Sequence, residues 1–250
     1  MGTMKTVPAL AVVLSLAAVM VASSASGLPG SPSQKDKKQQ KAAAVTAGAP
    51  TPDKGKFRVL LDGQMVGSEE FEISPSGDTW MARGSTTMNV PGSGDIKATG
   101  RLRLTADFTP IRYEWSSQTQ KKASGAVDFA KGIATTAIDL GGATPFTQEF
   151  TFPSARIAVL DNNLYHQYAV LAQMYDWNTG GKQEFPVLIP QDLTPGSISV
   201  ESLGPQQVEG AQYDALRVSS TDLEIIIYLD ANRHLMRLEV PASKVTIVRE

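Results

Sequence analysis

The sequence predicts an all-β, mainly antiparallel fold: a large curved sheet or half-open barrel of about twelve strands with one covering α-helix. From residue 96 to residue 108, apolar side chains alternate with polar ones at every second position. No helix has that period, which indicates a strand with one buried face and one wet face. Successive strand patterns are separated by short turns with Gly or Pro, which favours an up-and-down meander. One segment alone has helical spacing.

The first half of the domain reads as a series of strands joined by turns. Residues 57–74 form a hairpin pattern around the favoured turn pair Asp62-Gly63. After a turn at 75–78, alternation resumes over residues 80–90, and residues 91–95 turn the chain back into the strand at 96–108. Further strand patterns follow at residues 111–115, 127–129, 133–140 and 146–152.

A helix is predicted within residues 161–177. Asp161, Asn162 and Asn163 are candidate N-caps, and apolar residues recur at intervals of three or four from Leu164 to Tyr175. A lone amphipathic helix must bury its apolar stripe, so it is expected to lie across the concave face of the sheet or to plug one end. Strand patterns then return at residues 185–189, 198–200, 213–218, 223–229, 236–240 and 245–247.

Composition excludes several classes of function. The chain has 250 residues, no cysteine, two histidines and a formal charge of −2. The lack of cysteine excludes disulfide scaffolds, Cys-ligated zinc, iron–sulfur clusters and thiol nucleophiles. A near-neutral balance argues against a nucleic-acid-binding protein. We expect no metal and no cofactor.

Residues 1–26 have the layout of a secretory signal peptide. Lys5 precedes the apolar run Val7 to Val21, and small residues follow it. The run is shorter than the roughly 20 residues of a transmembrane helix. We therefore expect Sec-type export to the periplasm or the medium, with no transmembrane segment after cleavage; an uncleaved N-terminal anchor stays open. No lipobox cysteine is present.

Residues 27–56 are predicted to be a flexible linker rich in Lys, Pro, Ser and Ala. Its charges give a net of +4, whereas residues 57–250, the predicted single domain, carry a net of −7. The linker is either a loose contact for anionic envelope surfaces or a plain spacer. Its basic residues are Lys35, Lys37, Lys38, Lys41, Lys54 and Lys56.

The sequence contains no recognisable catalytic motif, and no catalytic residue is assigned. His166, on the predicted helix near Asp161, is either an acid/base group in a pocket or an ordinary helix histidine. His234 follows a turn and is read as structural. Glu69 and Glu70 are adjacent on a strand and must point to opposite faces, so they are not a glycosidase pair.

Two further side-chain groups are candidates for binding. Lys97, Arg101 and Arg103 form a one-sided stripe that could face an anionic group or simply be solvated. Aromatic and apolar residues could line an apolar cavity between helix and sheet, or could only pack a core. The cavity candidates are Trp80, Tyr113, Trp115, Leu164, Tyr168, Leu171 and Tyr175.

Two segments of the chain resemble a known group of proteins. They are the hairpin Leu61-Asp62-Gly63-Gln64-Met65-Val66-Gly67-Ser68-Glu69 and the ending Tyr228-Leu229-Asp230 through Leu235-Met236-Arg237-Leu238-Glu239-Val240-Pro241. They resemble exported bacterial β-rich proteins of a domain-of-unknown-function group. The architecture that this implies is similar to the half-barrel of periplasmic lipoprotein carriers. That group implies no catalytic residues, and this chain has one predicted helix where the carriers have several.

The leading hypothesis for function is an exported, non-enzymatic binding or carrier protein for an apolar or amphipathic envelope component. The alternative is a structural or interaction module that binds an envelope protein through a sheet edge or its polar face. A hydrolase using His166 with a nearby acid is the third hypothesis.

Overall fold

A computed structural model describes residues 50–139, 141 and 144–250. The predicted signal peptide, residues 1–26, and most of the predicted linker lie outside the described residues. Within the described part of the chain, no helix is long and apolar enough to cross a membrane.

One antiparallel sheet of fifteen strands forms nearly the whole domain. The strands are β1 (Asp53–Leu61), β2 (Gln64–Ser76), β3 (Thr79–Val90), β4 (Gly94–Leu104), β5 (Pro110–Gln118), β6 (Lys122–Ala130), β7 (Ile133–Asp139), β8 (Phe146–Thr151), β9 (Ala158–Val159), β10 (Lys182–Ile189), β11 (Thr194–Val208), β12 (Ala211–Ser219), β13 (Glu224–Leu229), β14 (Leu235–Val240) and β15 (Val245–Arg249). This confirms the predicted all-β antiparallel class, with fifteen strands instead of about twelve.

The strand order is a meander interrupted once. Strands β8 to β1 are neighbours in sequence order, β1 then pairs with β15, and β15 to β9 follow in order. Every pair is antiparallel except β9 with β10, which is parallel. The sheet is open, with β8 and β9 at its two edges, and the first and last strands of the domain meet at its middle.

The first strand begins four residues before the predicted domain boundary. Asp53 pairs in register with Ile73 of β2 and is 6% exposed. Its carboxylate accepts two hydrogen bonds from the Arg249 guanidinium, at 2.6 and 3.1 Å. The last four residues of the predicted linker, 53–56, therefore belong to the sheet, because an ion pair with the last strand fixes them there.

The Asp62-Gly63 turn forms as predicted. Both residues have positive φ angles, +49° and +78°, as a two-residue hairpin turn requires. Strand β2 starts directly after it at Gln64.

The helix α1 spans His166–Met174, and eight of its nine residues are buried. It packs against β3 and β14, on the inner face of the sheet. The predicted single helix is confirmed, but it is almost wholly buried, with only Gln173 partly exposed, instead of presenting one wet face. The predicted N-caps were wrong: Tyr165 is the capping residue, and its side chain makes no capping hydrogen bond.

Candidate functional site

A buried carboxylate and a buried imidazole meet where α1 touches the sheet. Glu69 on β2 and His166 at the start of α1 are both 0% exposed. Their Oε1 and Nδ1 atoms are 2.6 Å apart, which is a hydrogen-bonding distance. We call Glu69 and His166 the buried dyad.

Glu69 also caps α1 from outside the helix. Its Oε2 accepts hydrogen bonds from the backbone N–H groups of Tyr165 at 2.9 Å and His166 at 3.1 Å. A helix N-terminus carries unpaired N–H groups and a partial positive charge, both of which favour a carboxylate. Glu69, a strand residue 97 positions before His166, thus caps the helix, a role that the sequence predicted for Asp161, Asn162 or Asn163.

Gly84 on β3 provides the space for the dyad. A Cβ at this position would overlap His166 Nδ1 and lie 2.5 Å from Glu69 Oε1. The backbone of β3 therefore approaches the dyad as closely as a glycine allows.

Replacing Gly84 by alanine is expected to lower the free energy of unfolding by about 1–3 kcal/mol, because the added methyl group overpacks the dyad. Chemical denaturation followed by tryptophan fluorescence measures the loss. Combining Gly84→Ala with His166→Ala removes the ring that the methyl group strikes, so the two losses are expected to be less than additive. Full additivity would mean that Gly84 acts independently of the dyad.

A second buried carboxylate, Asp161, joins the segment before α1 to the segment after β10. It accepts hydrogen bonds from the Tyr113 hydroxyl at 2.9 Å and from the backbone N–H groups of Asn162 at 3.1 Å and Gln191 at 3.0 Å. Burial raises the pKa of the Asp161 carboxyl to about 6. Burial, with the nearby Asp161 charge, also holds the pKa of the Tyr113 phenol well above its usual value.

Two buried polar atoms beside the dyad have no hydrogen-bond partner in the described structure: His166 Nε2 and Thr86 Oγ1. Thr86 lies directly opposite Glu69 in the pairing of β2 with β3.

The residues predicted to line a cavity are spread around the interior. Six are buried, and Trp80 is partly buried at the rim. Tyr113 and Leu164 meet over Gly100, where a Cβ would lie 2.9 Å from the Tyr113 hydroxyl and 2.7 Å from Leu164 Cδ1. Trp115 lies over Gly125 in the same way.

The other predicted residues surround α1. Tyr175, just after the helix, has its ring centroid 5.0 Å from that of Trp177. Leu171 faces Leu102 and Leu104 of β4, and Tyr168 faces Ile225 of β13.

Three small spaces adjoin α1. A crevice of about 20 Å³ lies between Tyr168, Leu160 and Ile225. A second space, of about 10 Å³, adjoins this crevice, and a third, also of about 10 Å³, lies on the opposite side of the helix. The largest of these three spaces has room for about one water molecule. A larger open groove of about 430 Å³ lies between the turns that follow β3 and β5.

The dyad has the side chains of an acid/base pair, but it is sealed. A general base must reach the proton of a substrate within hydrogen-bonding distance. Both side chains are 0% exposed, so in this conformation the dyad holds the helix in place and contacts no solvent. In the described ranges, no group of three His, Asp or Glu side chains could hold a metal ion.

The remaining sequence candidates lie on the surface. His234 Nδ1 is 3.2 Å from Asp230 Oδ2 within one turn, as its structural reading predicts. Glu70 is exposed while Glu69 is buried, which confirms that the two carboxylates point to opposite faces. Lys97, Arg101 and Arg103 all project from the outer face of β4.

No protein-family model and no curated protein matches the chain. Among solved structures, the chain is similar to a beta-barrel-like protein of the domain of unknown function DUF1849 from Brucella abortus. The TM-score is 0.54 at 9% identity, over 82% of this chain and 97% of that one. A DUF1089 family protein from Pseudomonas aeruginosa matches with a TM-score of 0.39 at 12% identity, over 70% and 90% of the two chains. The first match confirms, for the fold, the resemblance to β-rich proteins of domain-of-unknown-function groups.

Proposed function

We propose that the protein is an exported, non-enzymatic binding protein that accepts an apolar or amphipathic envelope component between α1 and the sheet. The observation that carries this proposal is the burial of eight of the nine residues of α1 against the sheet. A nine-residue helix about 10 Å wide fills roughly 1,000 Å³. That volume is at the upper end of pockets that enclose small ligands.

In this proposal the helix occupies the ligand's place until a ligand displaces it. A helix of nine residues is marginal on its own, so its stability depends on its contacts with the sheet. The polar contacts that fix its N-terminus are concentrated on Glu69. The crevice beside Tyr168 and Ile225 is the proposed entry, because it lies between the helix and the sheet and most of the residues that line it are apolar.

The test uses the protein expressed from its full sequence in a bacterial host and purified from the periplasm. Native mass spectrometry is expected to show a chain that has lost about residues 1–26 and carries a lipid-like adduct, which solvent extraction releases. Hydrogen exchange of the α1 amides is then expected to be faster in the loaded protein than in the extracted protein.

Each result has a distinct meaning. A bound lipid with unchanged exchange in α1 would place the ligand elsewhere and contradict the helix-displacement step. A mass without adduct, together with no uptake of a fluorescent fatty acid by the extracted protein, would overturn the carrier function itself. Accumulation in the cytoplasm with residues 1–26 retained would overturn export.

The edge strand β8 favours an interaction module as the second candidate. It lies at one end of the sheet, and Phe146 on this strand is 51% exposed. An exposed edge with free backbone groups can accept a strand from another protein. An adduct-free chain that holds an envelope protein, with the β8 amides protected from exchange in that complex, would select this function.

A further inference from the structure

The outer face of β3, β4 and β5 brings like charges together. In the strand register, Arg83 lies directly opposite Arg101, and Arg103 lies directly opposite Arg112. Directly opposed like charges on one face of a sheet are destabilising. The fold therefore carries an arrangement that its own stability does not favour.

Neighbouring carboxylates neutralise only the flanking arginines. Arg83 is 2.5 Å from Glu72, and Arg112 contacts Asp128 at 2.6 Å and Glu114 at 3.1 Å. Glu114 lies opposite Arg101 but turns to Arg112. Among the residues that the structure describes, no carboxylate lies within 4.0 Å of the Arg101 or Arg103 guanidinium.

A second cross-strand row extends the positive charge. It runs over five neighbouring strand pairings and contains three cations and no carboxylate. Its members are Arg58, Ser68, Thr87, Lys97, Gln118 and Lys122. Arg58 lies 3.9 Å from the terminal Glu250, at the limit of an ion pair.

The basic linker enters the sheet at this same face. Lys54 pairs with Glu72, Glu72 with Arg83, and Arg83 with Arg101, so all four share one row. The N-terminal segment that precedes Lys54 is itself basic, with Lys35, Lys37, Lys38 and Lys41 against Asp36. In sequence, this basic segment therefore leads into the row that holds Arg83 and Arg101.

The rest of the domain has the opposite charge. Residues 132–250 contain seven Lys and Arg against 14 Asp and Glu, a net of −7. A protein whose positive and negative charges lie in separate regions orients in the electric field of an anionic surface, so that its positive region faces that surface. We call the outward cations the basic face: Lys54, Arg58, Arg83, Lys97, Arg101, Arg103, Arg112 and Lys122.

We propose that the basic face docks the protein on an anionic phospholipid surface. Guanidinium groups bind phosphate oxygens in a bidentate way, and Arg101 and Arg103 are free to do so. Next to them, the hydroxyl groups of Thr99 and Ser116 hydrogen-bond each other at 2.7 Å, which leaves one hydroxyl hydrogen to donate to a headgroup oxygen. Docking places the sheet's outer face on the membrane and leaves α1 and its crevice on the inner face, so it does not depend on the proposed function.

The test measures binding of the exported protein to vesicles of phosphatidylcholine with and without phosphatidylglycerol. Binding is expected only with phosphatidylglycerol and is expected to weaken as salt is added. The double variant R101Q/R103Q is expected to bind about 30-fold more weakly, since each basic residue near such a surface contributes a factor of about five.

The control is K182Q/K244Q, which removes the same charge from two exposed lysines away from the basic face. It is expected to bind within a factor of two of the unmodified protein, because those lysines do not approach the lipid. If both double variants lost vesicle binding equally, binding would depend only on the net charge of the protein, and the proposed docking face would be wrong. Unchanged binding by a folded R101Q/R103Q would also overturn it. Full competition by free glycerol phosphate would assign the arginines to a soluble phosphate ester instead.

Discussion

Replacing Glu69 by alanine is expected to lower the free energy of unfolding by about 3–5 kcal/mol, the cost of removing one partner of a buried pair. Three hydrogen bonds to the carboxylate disappear together: those from Tyr165 N–H, His166 N–H and His166 Nδ1. The donors left behind are buried, and water cannot replace the lost acceptor without entering the core. The N-terminus of α1 should therefore detach from β2.

Denaturation with guanidinium, followed by tryptophan fluorescence, measures this loss. The matched control is Glu70→Ala, one residue further along β2 and exposed, which should change stability by no more than about 0.5 kcal/mol. The double variant E69A/H166A should be less destabilised than the sum of the two single variants, since each single change already breaks the dyad. If E69A cost no more than E70A, the carboxylate would not be holding the helix.

The sheet was predictable because its strands bury only one face. In β4 the residues Ile96, Ala98, Gly100, Leu102 and Leu104 are buried, and the residues between them are exposed. That alternation is written directly in the sequence and needs no knowledge of the partner strands. The Asp62-Gly63 turn was equally readable, because its conformation is a local property of those two residues.

The strand count was harder to predict where strands are short or poor in large apolar residues. Strand β9 has two residues and is held by parallel pairing with β10. Strand β6 carries Gly125 where Trp115 covers it, so the neighbouring strand supplies the apolar bulk. The alternation of a segment's own side chains does not show that it is a strand when the adjacent strand supplies the side chains that fill the core beside it.

The dyad was missed although part of its signal was present. Glu69 shares the inward phase of β2 with Phe71 and Ile73, so alternation alone placed a carboxylate inside the core. A buried carboxylate needs a partner, and the sequence offered only two histidines. Choosing His166 required the docking of α1 against β3, which is a long-range contact. For the same reason the local N-cap signals at 161–163 were misleading.

The last expected result concerns Asp161, whose carboxyl has a pKa of about 6 in the folded protein against 3.8 as its ordinary value. The folded state thus holds this proton more tightly than the unfolded state. Stability from this group is complete below about pH 4, falls as the pH rises to 6, and stays low above it. A shift of about two units corresponds to a loss of roughly 3 kcal/mol across that window.

Replacing Asp161 by asparagine is expected to remove this slope. The amide oxygen can still accept from Asn162 and Gln191, and the amide nitrogen can donate to the Tyr113 hydroxyl oxygen. The difference in unfolding free energy between the variant and the unmodified protein, measured from pH 4 to pH 7, isolates this group from all others that titrate. That difference should move in favour of the variant as the pH rises. A difference that stays constant over this range would show that Asp161 titrates alike in both states, and that its three hydrogen bonds fully offset its burial.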